Sequence, residues 1–264
     1  MKYKKIDTKL FIKNRKNFVN KLERKSIAFF NSNDIYPISA DSTLPFDQHR
    51  DIFYLSGIDQ EESLLVLFPD SKNIEYKEML FLRETNEYIT HWEGEKLTKE
   101  QAKDISGINN IFWLNEFDSI LKEVLLQADF VYVNTNEHYR QNVQTQTRED
   151  RFINRLKNIN GLKFKKSNPI LQKQRSVKDQ IEIELIKNAC EITKKGFERV
   201  LTFIKPGVWE YEIEAEFSHE FLRNRSRRFA YTPIIASGRN SNFLHYVYNN
   251  KQCLDGEIVL MDVA

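Results

Sequence analysis

An α/β chain in two parts is what this sequence predicts, and three observations predict it. Short apolar runs bounded by turn residues alternate with helical stripes through the first 165 or so residues, a pattern that builds a mixed sheet covered by helices. Near "FKKSNPILQKQRSVKD" charges crowd in and a longer helical periodicity opens. The 264 residues, of which 41% are hydrophobic and 12% aromatic, leave room for two cores.

The elements follow in order. "TKLFIKNRKNFVNKLE" sets Leu10, Phe11, Phe18 and Leu22 among basic residues, the stripe of an amphipathic helix. "SIAFFN" reads as a buried strand, and after a polar loop "IFYLSG", "SLLVLFP" and "EMLFLRE" read as central strands. "SILKEVLLQ" is helical and "DFVYVN" returns to strand. Pro169 is expected to break regular structure, which puts an amino-terminal domain at 1–168, a linker at 169–179 and a second domain at 180–264. From Gln180 to about Ile204, Ile183, Ile186, Ala189, Ile192, Phe197, Val200 and Leu201 recur near helical spacing. Pro206 and Gly207 stop that helix, "EYEIEAEFSHEFLRNRS" forms another, and "TPIIASG" and "EIVLMDVA" read as strands.

Several function classes are disfavoured on composition. Lys and Arg number 40 against 38 Asp and Glu, and the basic residues are scattered, so no nucleic-acid footprint is indicated. Cys190 and Cys253 lack the spacing of a zinc ribbon or a disulfide framework, which suits a reducing compartment. The basic start has no apolar core or small-residue cleavage site, and no run approaches 18 apolar residues. A cytoplasmic protein without membrane or nucleic-acid partners is the expectation.

Four pieces of the second half, in order, carry a resemblance: "RSVKDQIEIELIKNA", "KPGVWEYEIEAEF", "PIIASGRNSNFLHY" and "LDGEIVLMDVA". Together they resemble the opening of the pita-bread catalytic domain of the Xaa-Pro aminopeptidases, also called aminopeptidase P. In the first half, "SADSTLPFDQHRDIFYLSGIDQEESLLVLFPD" and "THWEGEKL" look like the amino-terminal domain of the same family, of the ribonuclease-H-like, creatinase/prolidase type. One departure is visible: Asp47 stands before Gln48 where many relatives carry a basic residue.

The resemblance implies a peptidase that releases the first residue from peptides with proline second, using a hydroxide that bridges two divalent metal ions, Mn²⁺ foremost. Such a pair activates a water and polarises the carbonyl, and hard oxygen ligands with one imidazole suit Mn²⁺. Asp262 matches the first metal carboxylate; as an isolated residue it reads more readily as a strand end entering a turn, and the match of "LDGEIVLMD" as a unit reverses that. His245 matches the histidine that steadies substrate beside the metals, against the plain reading of a structural histidine between Leu244 and Tyr246. Trp92 and Asp41 match positions that shape the substrate pocket, often across a subunit boundary, which implies a homo-oligomer, dimer or tetramer. Their bland alternatives are a packing aromatic and a cap beside Ser42.

Two look-alikes are set aside. Glu216, His219 and Glu220 share a helix face, but a di-iron site needs that motif from two helices, so the face is expected to be solvated. His91, Glu93 and Glu95 alternate like one side of a strand. The resemblance puts the other metal ligands after Ala264, so the sequence reads as a truncated enzyme that is inactive alone. Two other readings stay open: a metal-free creatinase-type amidinohydrolase, and a non-catalytic peptidase-like binding module. Retention of Asp262 argues against the first, and retention of both His245 and Asp262 against the second.

Overall fold

A computed structural model describes residues 3–139, 144–159 and 161–264. Two compact units emerge, one of Ile6–Val177 and one containing Lys178–Ala264.

The first unit runs α1 (Thr8–Val19), β1 (Ser26–Asn31), β2 (Pro37–Ser39), β3 (Ser42–Thr43), α2 (Arg50–Ser56), β4 (Leu64–Leu67), β5 (Glu78–Leu82), α3 (Glu87–Glu93), α4 (Lys99–Ser106), β6 (Asn110–Trp113), α5 (Phe117–Leu125), β7 (Phe130–Val133), α6 (Arg148–Lys157), β8 (Lys163–Lys166) and α7 (Asn168–Ser176). Its six-stranded sheet has the order β6-β5-β4-β1-β7-β8. Only β4 runs against its neighbours; the pairs β1–β7, β5–β6 and β7–β8 are parallel. This is the mixed α/β architecture expected.

Both faces of the sheet are covered, and that explains why β1, β4 and β5 read as unbroken apolar runs instead of alternating ones. Ile27 and Phe29 point into a cluster with Val66, Phe81 and the apolar sides of α5 and α6. Their neighbours Ala28 and Phe30 join Leu65, Leu80, Phe18 of α1 and Leu55 of α2 on the opposite face. Arg15 is buried with them, its Nε donating to Glu78 Oε1 at 2.6 Å and its guanidinium to the Leu55 carbonyl at 2.8 Å.

Three local readings need correction. "IFYLSG" is helix α2, not a strand. His49 Nδ1 accepts from the Asp51 amide at its start, and Gly57 closes it at φ 71°. Ile52, Leu55 and Ser56 fall on one buried face at helical spacing. The alternation of His91 and Glu93 lies on helix α3, which Asn86 caps and Gly94 ends at φ 79°. Pro169 occupies the first turn of α7, where a missing N–H costs nothing, so it starts a helix where a break was expected.

The second unit places α8 (Gln180–Phe203) against α9 (Glu210–Arg223) and pairs β9 (Ile234–Ser237) with β10 (Val259–Asp262) in antiparallel register. Asp179 and Glu182 form a capping box at the start of α8. The helices approach closely at Gly196, where a Cβ would lie 2.8 Å from Phe217 and 3.0 Å from Phe221. Val200, Ile213, Phe217, Phe221 and Ile235 form the core beneath the strands. No helix among the described residues is long and apolar enough to cross a membrane.

Candidate active site

The loop between β9 and β10 carries His245, and a buried carboxylate organises it. Glu210, in the first turn of α9, is fully buried. Its Oε1 accepts from the Ser237 amide at 2.6 Å and the Ser237 hydroxyl at 2.8 Å. Its Oε2 accepts from the Tyr246 hydroxyl at 2.7 Å and the Lys251 amide at 2.9 Å. One side chain therefore ties the end of β9, the residue beside His245 and the return of the loop to a single point. Burial opposes the charge on Glu210, yet the bonds from Tyr246, Lys251 and Ser237 outweigh it and hold its pKa below the ordinary value.

That depression has a sign. A carboxylate whose folded pKa lies below its unfolded one stabilises the fold above the unfolded value, and the contribution is lost as pH falls through the folded one. Denaturant midpoints are expected to fall on acidification below about pH 4.5, the ordinary carboxyl value. In a Glu210→Gln variant this component of the pH dependence is expected to be absent, and midpoints of the two proteins measured across pH 3–6 check it.

Asn249 is the second staple. Its Oδ1 accepts from the Ile235 amide at 3.0 Å, and its Nδ2 donates to Glu214 Oε2 at 2.8 Å and the Pro233 carbonyl at 3.1 Å. It holds a left-handed backbone at φ 46°, which asparagine tolerates better than most residues. Between these anchors His245 is exposed. Asp262 ends β10 opposite Ile234, also exposed, and accepts a hydrogen bond from the Tyr231 hydroxyl at 2.5 Å. That bond pushes the Tyr231 pKa up. Both candidates thus belong to the β9–β10 pair and its connecting loop, and no hydrogen bond joins them among the described residues.

A metal centre needs several donors. Among the described residues no three or more His, Cys, Asp and Glu side chains cluster so as to hold an ion. Asp262 offers one accessible carboxylate, chemically suited to a hard cation but insufficient in number, so the described residues do not by themselves make up a metal site.

Two family models match. The one described as the aminopeptidase P N-terminal domain covers residues 11–132, and the one for metallopeptidase family M24 covers residues 184–264. A Xaa-Pro aminopeptidase of Haemophilus influenzae is 30% identical over 224 residues, 85% of this chain and 50% of that protein. The Xaa-Pro aminopeptidase of Escherichia coli is 28% identical over 256 residues, 96% of this chain and 58% of that protein. The chain belongs to the Xaa-Pro aminopeptidase family. The structure of zinc-substituted E. coli aminopeptidase P in complex with product superposes with a TM-score of 0.85 at 27% identity, covering 98% of this chain and 59% of that one. The chain spans about half the length of the curated relatives it matches.

Within this family chain, the other two candidates lie in the first unit. Trp92 is 71% exposed on α3, its ring centroid 6.4 Å from that of Tyr88. The helix is clamped by its next residue: Glu93 takes both terminal nitrogens of Arg83 at 2.9 Å and lies 3.3 Å from the Lys96 ammonium. Asp41 sits exposed in the turn between β2 and β3, after Ala40 at φ 50°. Asp47, the departure from the family pattern, pairs through both oxygens with Arg50 at 2.9 and 3.1 Å.

The face of Glu216 and Glu220 is a further correction. It is not simply solvated, because both carboxylates are partly buried against Arg199 of α8, and His219 alone stays out in water. Glu210, Asn249 and Tyr231 were not singled out from the sequence. A glutamate in a first helical turn reads as a partner for the helix dipole, and only the fold shows that Glu210 points inward.

Proposed function

We propose that the chain serves a metal-dependent aminopeptidase activity that releases the first residue from peptides with proline second. The observation that carries it is the Glu210–Ser237–Tyr246–Lys251 cluster, which holds an exposed histidine in a defined loop beside the strand that presents Asp262. Support comes from the match to the M24 metallopeptidase model over this segment and from the names of the relatives. Two divalent ions, Mn²⁺ in this proposal, would supply a Lewis acid and an activated water when bound. Asp262 would give one ligand toward them, with Tyr231 fixing its orientation. His245, free to reach solvent, would hold the substrate carbonyl by donating a hydrogen bond. Trp92 would offer a flat apolar wall to the proline ring and Asp41 a carboxylate to the substrate amine.

Exposure of Trp92 and of its neighbour Tyr88, 71% and 74%, supports a pocket completed by a second copy, in a dimer or tetramer. The unpaired Cys190 and Cys253 support a cytoplasmic setting. With one ligand carboxylate among them, the 264 residues assayed alone are expected to cleave nothing. The test is a substrate panel on the native protein purified from its source. Matched tripeptides with proline or alanine second are compared, and release of the first residue is expected from the proline peptides only. Equal cleavage of both series would reject the proline specificity.

A further inference from the structure

An open cleft of about 410 Å³ lies on the first unit, and none of the residues that line it is a site candidate discussed above. Asn31 at the end of β1, Leu64 at the start of the antiparallel β4 and Leu114 just after β6 all line it, so it opens beyond the carboxyl ends of the parallel strands. The chain builds the sheet outward from β1 through β4, β5 and β6, then returns to lay β7 on β1's other side. Open α/β sheets bind ligands outside the carboxyl ends of their strands, and this cleft lies on the β1–β4 side of that reversal.

The walls have a definite chemistry. Leu64, Phe117 and Phe152 give an apolar floor, and Arg148, Arg151 and Arg155 line one side from α6, at spacings that put them on one helix face. Two of the three guanidiniums are already neutralised: Arg151 pairs with Asp34 at 2.6 Å and Arg155 with Asp118 at 2.8 Å. Arg148 is not. Among the described residues its hydrogen bond is one of 3.3 Å to the Ser32 hydroxyl, and no carboxylate lies within ion-pair distance, although Glu62 and Asp34 are felt at longer range. Burial pulls its pKa below the ordinary arginine value. A guanidinium with five donors, partly buried over apolar carbon and so poorly satisfied, is costly unless an anion completes it.

We propose that this cleft binds a small molecule carrying one carboxylate on an aromatic or branched aliphatic body, with the carboxylate on Arg148 and the body on Phe117 and Phe152. One uncompensated positive charge fits a monoanion better than a phosphate dianion, and a carboxylate matches the guanidinium fork through two parallel hydrogen bonds.

The test titrates 3-phenylpropionate into the 264-residue chain by calorimetry, with 3-phenylpropionamide as its uncharged counterpart and inorganic phosphate as competitor. The acid is expected to bind saturably and at least about tenfold more tightly than the amide, a difference of about 1.4 kcal/mol. Arg148→Gln is expected to bring the acid down to the affinity of the amide, while Arg148→Lys keeps part of the preference. Failure of the wild-type chain to bind the acid saturably, or equal affinity for acid and amide, would overturn the proposal, and neither reading depends on a variant that folds. Displacement by phosphate as effective as by a second carboxylate would overturn the assignment to a monoanion.

Discussion

Replacing Glu210 by alanine is expected to destabilise the second unit by about 3–5 kcal/mol, because it strips a common acceptor from four buried or partly buried donors. The orphaned Ser237 and Lys251 donors keep the cost of their lost hydration and gain no partner, while the Tyr246 hydroxyl retains Asn250 Oδ1 at 3.1 Å, so the loss exceeds that of an exposed ion pair several times over. The damage is also directed. Tyr246 is released next to His245, and the Ser237 and Lys251 amides are released at the two roots of the loop. Amide hydrogen exchange at Ser237 and Lys251 should accelerate together, with the α8–α9 contact around Gly196 affected less. Glu210→Gln should fall between, since its amide oxygen can still serve Ser237 while its NH₂ group faces the donors of Tyr246 and Lys251. Unchanged exchange at both amides in Glu210→Ala would show that the loop is held by something else.

Asp262→Ala is expected to abolish metal-dependent cleavage by the native protein, with a loss beyond the roughly 10–100-fold typical when an outer partner of a metal ligand is removed. Tyr231→Phe supplies the comparison. It keeps the ring and removes only the hydroxyl that bonds Asp262, so its loss should stay within that range of about 10–100-fold. Neither change should unfold the chain, because Asp262 is exposed at a strand end and makes no core contact. The paired readout is metal content after dialysis together with rate: Asp262→Ala should lose both, Tyr231→Phe mainly the rate at limiting metal. Full activity in Asp262→Ala would remove this residue from the site.

Where the sequence was legible, periodicity and punctuation were what made it so. The unbroken apolar runs of β1, β4 and β5 read as strands covered on two sides, and Pro206 with Gly207 marked the end of α8 because proline cannot continue the helix and glycine accepts the left-handed turn after it. Short apolar stretches misled. "IFYLSG" has a strand's composition, and the cap on its amino end is a histidine ring that no composition rule flags. For the site, the ordered motifs indicated His245 and Asp262, whereas the residues that hold them are set by distance in space. Glu210 reaches Lys251 across 41 positions and Asn249 reaches Glu214 across 35, and nothing local in the chain marks such pairs. Arg148, Arg151 and Arg155 show their helical spacing in sequence, but only the packing reveals that two of them have carboxylate partners while the third has none within ion-pair distance among the described residues.

The proposed metal-dependent Xaa-Pro aminopeptidase activity is checked by metal removal and add-back. The native protein is purified from its source, stripped with a chelator, and offered a Xaa-Pro-Xaa tripeptide with and without added Mn²⁺. No release of the first residue is expected from the stripped protein, and restored release is expected on adding Mn²⁺, with the Pro-Xaa dipeptide as the second product. A folded, metal-replete protein that leaves the tripeptide intact would contradict it.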